Sequence, residues 1–149
     1  MQEFKSVNDI LDFAIKNEQD SYDLYIKLAK DAENPATEKF LHELAEEETS
    51  HKEKLLQLKE DGTLEPDKDS ILDLKIADYL VDVEPSETMD YTKALIYAIK
   101  AEKAEFRLYM DMADKARNPE IRKVLKMLAQ EEAKHKLRLE IEYDDFMDE

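Results

Sequence analysis

The sequence predicts an all-α protein, a four-helix bundle of two duplicated helical hairpins joined by a long crossover. Three observations lead there: a helix-forming composition, an internal repeat, and apolar residues at helical spacing. Of 149 residues one is glycine and four are proline, while Glu, Lys, Leu and Ala dominate, which leaves little turn chemistry for a sheet. The length suits a single domain over 1–149, large enough to bury a core without disulfides.

Compared with itself at an offset of 84, the chain aligns AIKNEQDSYDLY (14–25) with AIKAEKAEFRLY (98–109), and LAEEETSHK (44–52) with LAQEEAKHK (128–136). Across residues 6–60 about 20 positions are identical without a gap. Chance would give roughly four or five, so a duplicated hairpin is the economical reading, and the period is too long for a solenoid.

The boundaries of the predicted helices repeat as well. The first helix is predicted over 7–32 and the second over 35–60, the latter started by Asn34-Pro35, an N-cap residue before proline at the first helical position. Gly62 ends the second helix. The third is predicted over 90–116 and the fourth over 119–145, the latter started by Asn118-Pro119. The hairpins therefore cover about 7–60 and 90–145. Between them, 61–89 is too long for a tight turn and suits a crossover between parallel helices. Its middle, ILDLKIADYLVDV, is apolar enough to pack on the bundle as a short helix. A connector of this length also permits hairpin exchange between subunits, so a homodimer is expected.

With 38 acidic against 22 basic residues, the net charge of −16 disfavours nucleic acid and anionic membranes, and no basic patch offsets it. Cysteine is absent, which removes disulfides, thiol catalysis and a Cys₄ iron site within these residues. The segment MQEFKSVNDI has no apolar core of a signal sequence and no run is long enough to span a membrane, so a cytoplasmic location is expected.

The chemistry lies where a core should be dry. At three-and-four spacing the first helix presents Leu11, Ala14, Glu18, Tyr22, Tyr25 and Ala29, and the third presents Leu95, Ala98, Glu102, Phe106, Tyr109 and Ala113. Each stripe has a glutamate at its centre. The second presents Leu41, Leu44, Glu48, His51 and Leu55, and the fourth Leu125, Leu128, Glu132, His135 and Leu139, each with Glu-x-x-His mid-helix. Residues three apart sit about 60° apart around the axis, so each Glu and His can point inward together. Four carboxylates facing one another must take up protons or cations. Four Glu and two His from four helices form the ligand set of a carboxylate-bridged dinuclear site, and hard oxygen with imidazole favours iron or manganese. A lone Glu-x-x-His carries little weight in so acidic a chain. Its coincidence at equivalent places of the repeat carries the reading.

His42 shows the contrast: it lies about 180° around the helix from His51 and its repeat equivalent is Lys126, so it is expected in solvent. Glu105 breaks the symmetry, because the matching position is Ser21. It is either a seventh ligand, shed or regained as the metals change oxidation state, or a surface residue of an acidic chain. Tyr25 and Tyr109, each seven residues after a candidate ligand, are candidate catalytic residues that hydrogen-bond the carboxylates or lie near bound oxidant, or else they serve as core aromatics.

Glu18, the Glu-x-x-His of Glu48 and His51, the Glu-x-x-Glu of Glu102 and Glu105, and the Glu-x-x-His of Glu132 and His135 together resemble the rubrerythrin family of ferritin-like diiron carboxylate proteins. The likeness covers nearly the whole chain, and the Glu-x-x-Glu separates it from typical ferritins. It implies two iron ions, with manganese or zinc as alternatives, and a reduced site that reacts with hydrogen peroxide in oxidative-stress defence. It further implies that iron shifts ligation between Glu105 and His51, with glutamates relaying protons. Rubrerythrins proper carry a rubredoxin domain; its cysteines are missing here, so an external electron donor is expected, such as a separate rubredoxin. The competing expectations are an iron-handling ferroxidase that uses oxygen, and a metal-binding bundle without turnover.

Overall fold

The computed structural model describes residues 6–62, 76–81 and 90–148. Its helices are α1 (Val7–Asp31), α2 (Pro35–Asp61), α3 (Tyr91–Lys115) and α4 (Pro119–Met147), with a short 3-10 helix at Ile76–Tyr79 and no strand among the described residues. All four lie within a residue or two of the expected bounds.

Local chemistry explains the ends. The Asn34 side chain accepts from the Thr37 amide at 2.8 Å and Asn118 from the Glu120 amide at 2.9 Å, with proline beginning the helix in both cases. Ser6 caps α1 and Asp90 caps α3 in the same way. Gly62 closes α2 at φ 62°, a left-handed conformation that costs glycine nothing, and its amide returns to the Leu58 carbonyl at 3.1 Å.

α1 packs along α2 and α3 along α4, and the two hairpins meet chiefly through α1 against α3. Contacts pairing Glu18 with Tyr109, Ser21 with Glu105 and Tyr25 with Glu102 run in opposite senses along α1 and α3, so these helices are antiparallel. α2 and α4 are antiparallel by the same argument, from Glu47–His135 and His51–Glu131. This is the pseudo-twofold arrangement that the repeat anticipates.

The core falls into two apolar clusters. One gathers Leu11, Ala14, Leu55, Leu108, Leu125 and Leu128 with their neighbours, and the other gathers Leu28, Leu41, Leu44, Leu95, Ala98 and Leu139. Between them, at mid-helix in all four helices, lies a layer of buried carboxylates and imidazoles. At roughly 1.5–3 kcal/mol for each buried aliphatic side chain, the two clusters supply the stability against which a polar layer can be held in the interior.

One detail differs from the expected stripes. Tyr22 and Phe106 are only half-buried, and the inward place beside them is taken by Ser21 and Glu105, exposed 6 % and 3 %. The reason is rotational. Tyr25 and Tyr109 turn the buried face to the side of α1 and α3 on which the i+3 position, rather than the i+4 position, points into the bundle.

Of the expected connector helix, Ile76–Tyr79 is seen as a single 3-10 turn. Tyr79 is buried and its hydroxyl donates to Asp111 of α3 at 2.8 Å. The rest of 71–83, apart from Leu80 and Val81, lies outside the described residues.

Candidate metal centre

The structure brings together all seven candidate ligands. Glu18, Glu48, Glu102 and Glu132 are each 0 % exposed, and His51, His135 and Glu105 are no more than 3 % exposed. They come from four helices because each helix places its polar residues mid-length on the face that carries its leucines and alanines.

Two overlapping groups could each hold a metal ion. One is Glu18, Glu48, His51 and Glu132, and the other is Glu48, Glu102, Glu132 and His135; within each, one ligand atom per residue lies within 4.8 Å of the others. Glu48 and Glu132 belong to both. The pseudo-twofold exchanges Glu18 with Glu102 and His51 with His135, so the two groups share one pair of carboxylates and each adds a Glu and a His of its own.

Around this centre the contacts cross from one half of the repeat to the other. His51 Nδ1 lies 2.6 Å from Glu132 and 3.5 Å from Glu18, and His135 Nδ1 lies 2.8 Å from Glu48 and 3.7 Å from Glu102. The two imidazole rings stack with centroids 5.7 Å apart and planes 13° from parallel. Tyr25 donates its hydroxyl to Glu102, and Tyr109 donates to Glu18. The tyrosines are therefore both core aromatics and carboxylate partners. Ser21 donates to Glu105 at 3.1 Å, which holds this extra carboxylate in the buried layer beside the two groups.

The donors fit divalent cations. Seven buried atoms have no hydrogen-bond partner: Glu18 Oε2, Glu48 Oε2, Glu102 Oε2, Glu105 Oε2, both oxygens of Glu132 and His51 Nδ1. All belong to candidate ligands. A buried polar atom without a partner costs about 1–3 kcal/mol, and a buried charge costs more, so a layer of this kind calls for cations.

The electrostatics say the same. Burial pushes the Glu48 carboxyl well above its ordinary range, and the charges of Glu18 and Glu102 add to it. Burial likewise raises Glu132, with Glu102 and Glu18 adding, and raises Glu105. Burial acts upward on Glu102 too, but interactions with the neighbouring Glu132, His135 and Tyr25 outweigh it and hold this carboxyl below the usual range. His135 is pushed up to about 9: burial opposes its charge, and Glu102 and Glu47 overcome that opposition. Tyr25 and Tyr109 are raised by burial and by neighbouring carboxylates, so both remain protonated donors.

Reasoning from sequence passed over two residues. Glu47 accepts from Nε2 of His135, and Glu131 accepts from Nε2 of His51, each reaching across to the opposite hairpin. A signal was present, since Glu47 and Glu131 coincide at the offset of 84 whereas Glu46 pairs with Gln130. Ser21 stood out as the mismatch to Glu105, but not as its partner. His42 is half exposed, 3.9 Å from Glu38 and remote from the centre, as expected.

Fold and site together define a ferritin-like four-helix bundle with a buried Glu/His cluster suited to metal. The Rubrerythrin family model matches residues 9–139, and the chain belongs to that family. Two solved structures share the fold. A hypothetical protein from Pyrococcus furiosus is 22 % identical, with a TM-score of 0.76, covering 96 % of this chain and 91 % of that one. A Thermotoga maritima protein, provisionally described as a ferritin-like diiron-carboxylate protein, is 23 % identical with a TM-score of 0.73, covering 93 % of this chain and 95 % of that one. No curated protein matches the sequence. No helix among the described residues is long and apolar enough to cross a membrane.

Proposed function

We propose that this protein is a non-haem diiron peroxidase that reduces hydrogen peroxide with electrons from an external donor. The observation that carries the reading is the buried asymmetry at Glu105: beside six candidate ligands related by the pseudo-twofold lies a seventh, a carboxylate whose counterpart is only Ser21. A symmetric set would serve a static dinuclear site. An additional carboxylate on one side, held by a hydroxyl rather than by a counter-charge, supplies a ligand that can exchange as charge at the centre changes.

Glu48 and Glu132 would bridge two iron ions, Glu18 with His51 and Glu102 with His135 would complete each side, and the pair would supply the two electrons that peroxide reduction requires. The chain's own residues then have defined tasks. Tyr25 and Tyr109 orient Glu102 and Glu18 through their hydroxyls. Glu105, raised by burial and lying beside the two ligand groups rather than within them, is placed to carry a proton toward a departing oxygen, and two protons with two electrons convert peroxide to two waters. The two apolar clusters exclude bulk water on either side of the layer. With no cysteine in these residues, the electrons would come from an external donor, for which a separate rubredoxin is a fitting choice. A homodimer, with or without exchanged hairpins, accords with the long 61–89 connector.

The test is anaerobic loading with Fe(II), metal counting per chain, then stopped-flow mixing with peroxide or air while the ferric absorbance is followed. Two irons oxidised much faster by peroxide than by oxygen support the peroxidase. A preference for oxygen indicates iron oxidation instead, and no iron uptake refutes the metal reading.

A further inference from the structure

Each histidine of the centre turns its two ring nitrogens to different surroundings. Nδ1 faces the buried glutamates, while Nε2 meets a carboxylate that comes from the opposing helix: Glu47 of α2 for His135 of α4, and Glu131 of α4 for His51 of α2. The imidazoles are 1 % and 2 % exposed, whereas the Glu47 and Glu131 side chains are 51 % and 36 % exposed. A solvated carboxylate only accepts, so each Nε2 must be the donor. A neutral imidazole that donates through Nε2 presents its lone pair at Nδ1, toward Glu132 and Glu18 for His51 and toward Glu48 and Glu102 for His135.

We propose that Glu47 and Glu131 are positioning residues, each gripping the outer Nε2–H of the opposing helix's histidine so that Nδ1 is held toward the centre as the metal-binding atom. The inference rests on the metal reading above, but not on peroxidase activity. Geometry supports it twice, because the two pairings are related by the pseudo-twofold: α2 gives the carboxylate in one and the imidazole in the other, and α4 the reverse. The position also excludes a direct ligand role. Glu47 precedes Glu48 by one residue, about 100° around α2, which carries it off the buried face and out to the seam between α2 and α4. That seam has ties without it: Arg138 lies 3.5 Å from Glu43, and the Thr37 hydroxyl donates to Glu142 at 3.4 Å. The carboxylates are therefore not required merely to join the helices. Outer partners of this kind set the orientation and basicity of metal-bound histidines.

Zinc serves as the probe, because it is diamagnetic and needs no redox partner. In the zinc-loaded full chain, Glu47→Ala is expected to weaken zinc binding by roughly 10–100-fold. In proton–nitrogen spectra it should also expose the Nε2–H of His135 to fast solvent exchange while leaving that of His51 in place. Glu131→Ala should produce the mirror result at His51. Glu47→Gln, whose amide oxygen still accepts, should restore most of the affinity and the slow exchange, an outcome that a merely helix-joining role would not produce. Wild-type zinc binding with unchanged affinity and unchanged imidazole resonances in Glu47→Ala overturns the inference alone, as does a change confined to the wrong histidine. A wild type that takes up no zinc overturns the metal reading and this inference with it.

Discussion

Replacing Glu48 by glutamine is the sharpest test of the idea that the carboxylate layer sacrifices stability for metal. Glu48 is 0 % exposed, is one of the two carboxylates common to both ligand groups, and is pushed up by burial and by the charges of Glu18 and Glu102. Gln has the same shape without the charge, and His135 keeps Glu47 and Glu102 as partners. Replacing buried ionic groups by well-packed neutral ones is often stabilising by about 1–4 kcal/mol. At this chain length each kcal/mol moves Tm by about 2–4 °C, so metal-free Glu48→Gln should melt roughly 2–16 °C above metal-free wild type at pH 8. The gap should narrow toward pH 5. A carboxyl whose folded pKa lies above its ordinary 4.5 contributes its full stability below that value and loses it as pH rises through the folded pKa, whereas Gln does neither. With metal the order reverses. Each ion at a hundred times its Kd stabilises wild type by about 2.7 kcal/mol, and Glu48→Gln, having damaged both groups at once, should lose most of that gain. Scanning calorimetry of chelator-treated and zinc-loaded protein at pH 5 and pH 8 reads all four quantities. A metal-free variant less stable than wild type at pH 8, or a variant with an undiminished zinc-induced gain, would refute the reasoning.

Further predictions concern the same layer. By the repeat symmetry, Glu132→Gln should match Glu48→Gln in its effect on zinc affinity, and a large loss from only one of them would count against a paired site. Glu105→Ala should retain two metals but lose peroxide turnover, so unchanged stopped-flow rates would remove it from the mechanism. Tyr25→Phe and Tyr109→Phe each strip a hydroxyl from a buried carboxylate and should lower stability by about 1–3 kcal/mol, equally within error, as read by urea titration. Metal-free wild type should lose stability steadily from pH 5 to pH 9. His135, raised from 6.5 to about 9, contributes fully below 6.5 and fades as pH passes about 9, and the raised Glu105 and Glu132 act in the same sense. A melting temperature that climbs over this window would contradict the burial of the cluster.

What the sequence determined by itself was everything that helical periodicity and the repeat encode. One glycine, two Asn-Pro starts and the glycine stop placed the helices to within a residue or two. The three-and-four spacing placed Glu18, Glu48, His51, Glu102, Glu132 and His135 on apolar faces, because a residue's angle around its own helix follows from 3.6 residues per turn and nothing else. The offset of 84 paired those positions two by two. His42 could be set aside on the same grounds.

Only the tertiary structure decided which residues meet across helices. The angle of Glu105 on α3 left open a buried or a surface place, and the antiparallel crossing of α1 and α3 buried it by setting it opposite Ser21 at 3.1 Å. The same crossing joined Tyr25 to Glu102 and Tyr109 to Glu18, contacts between residues 77 and 91 positions apart. Glu47 and Glu131 lie off the apolar stripes, and their role emerged only because α2 and α4 run antiparallel at a height that brings each beside the other's histidine. Periodicity fixes direction within one helix. The partner helix, its sense and its axial offset are set by how two hairpins bury their leucines together, and that information resides in the packing of the whole chain.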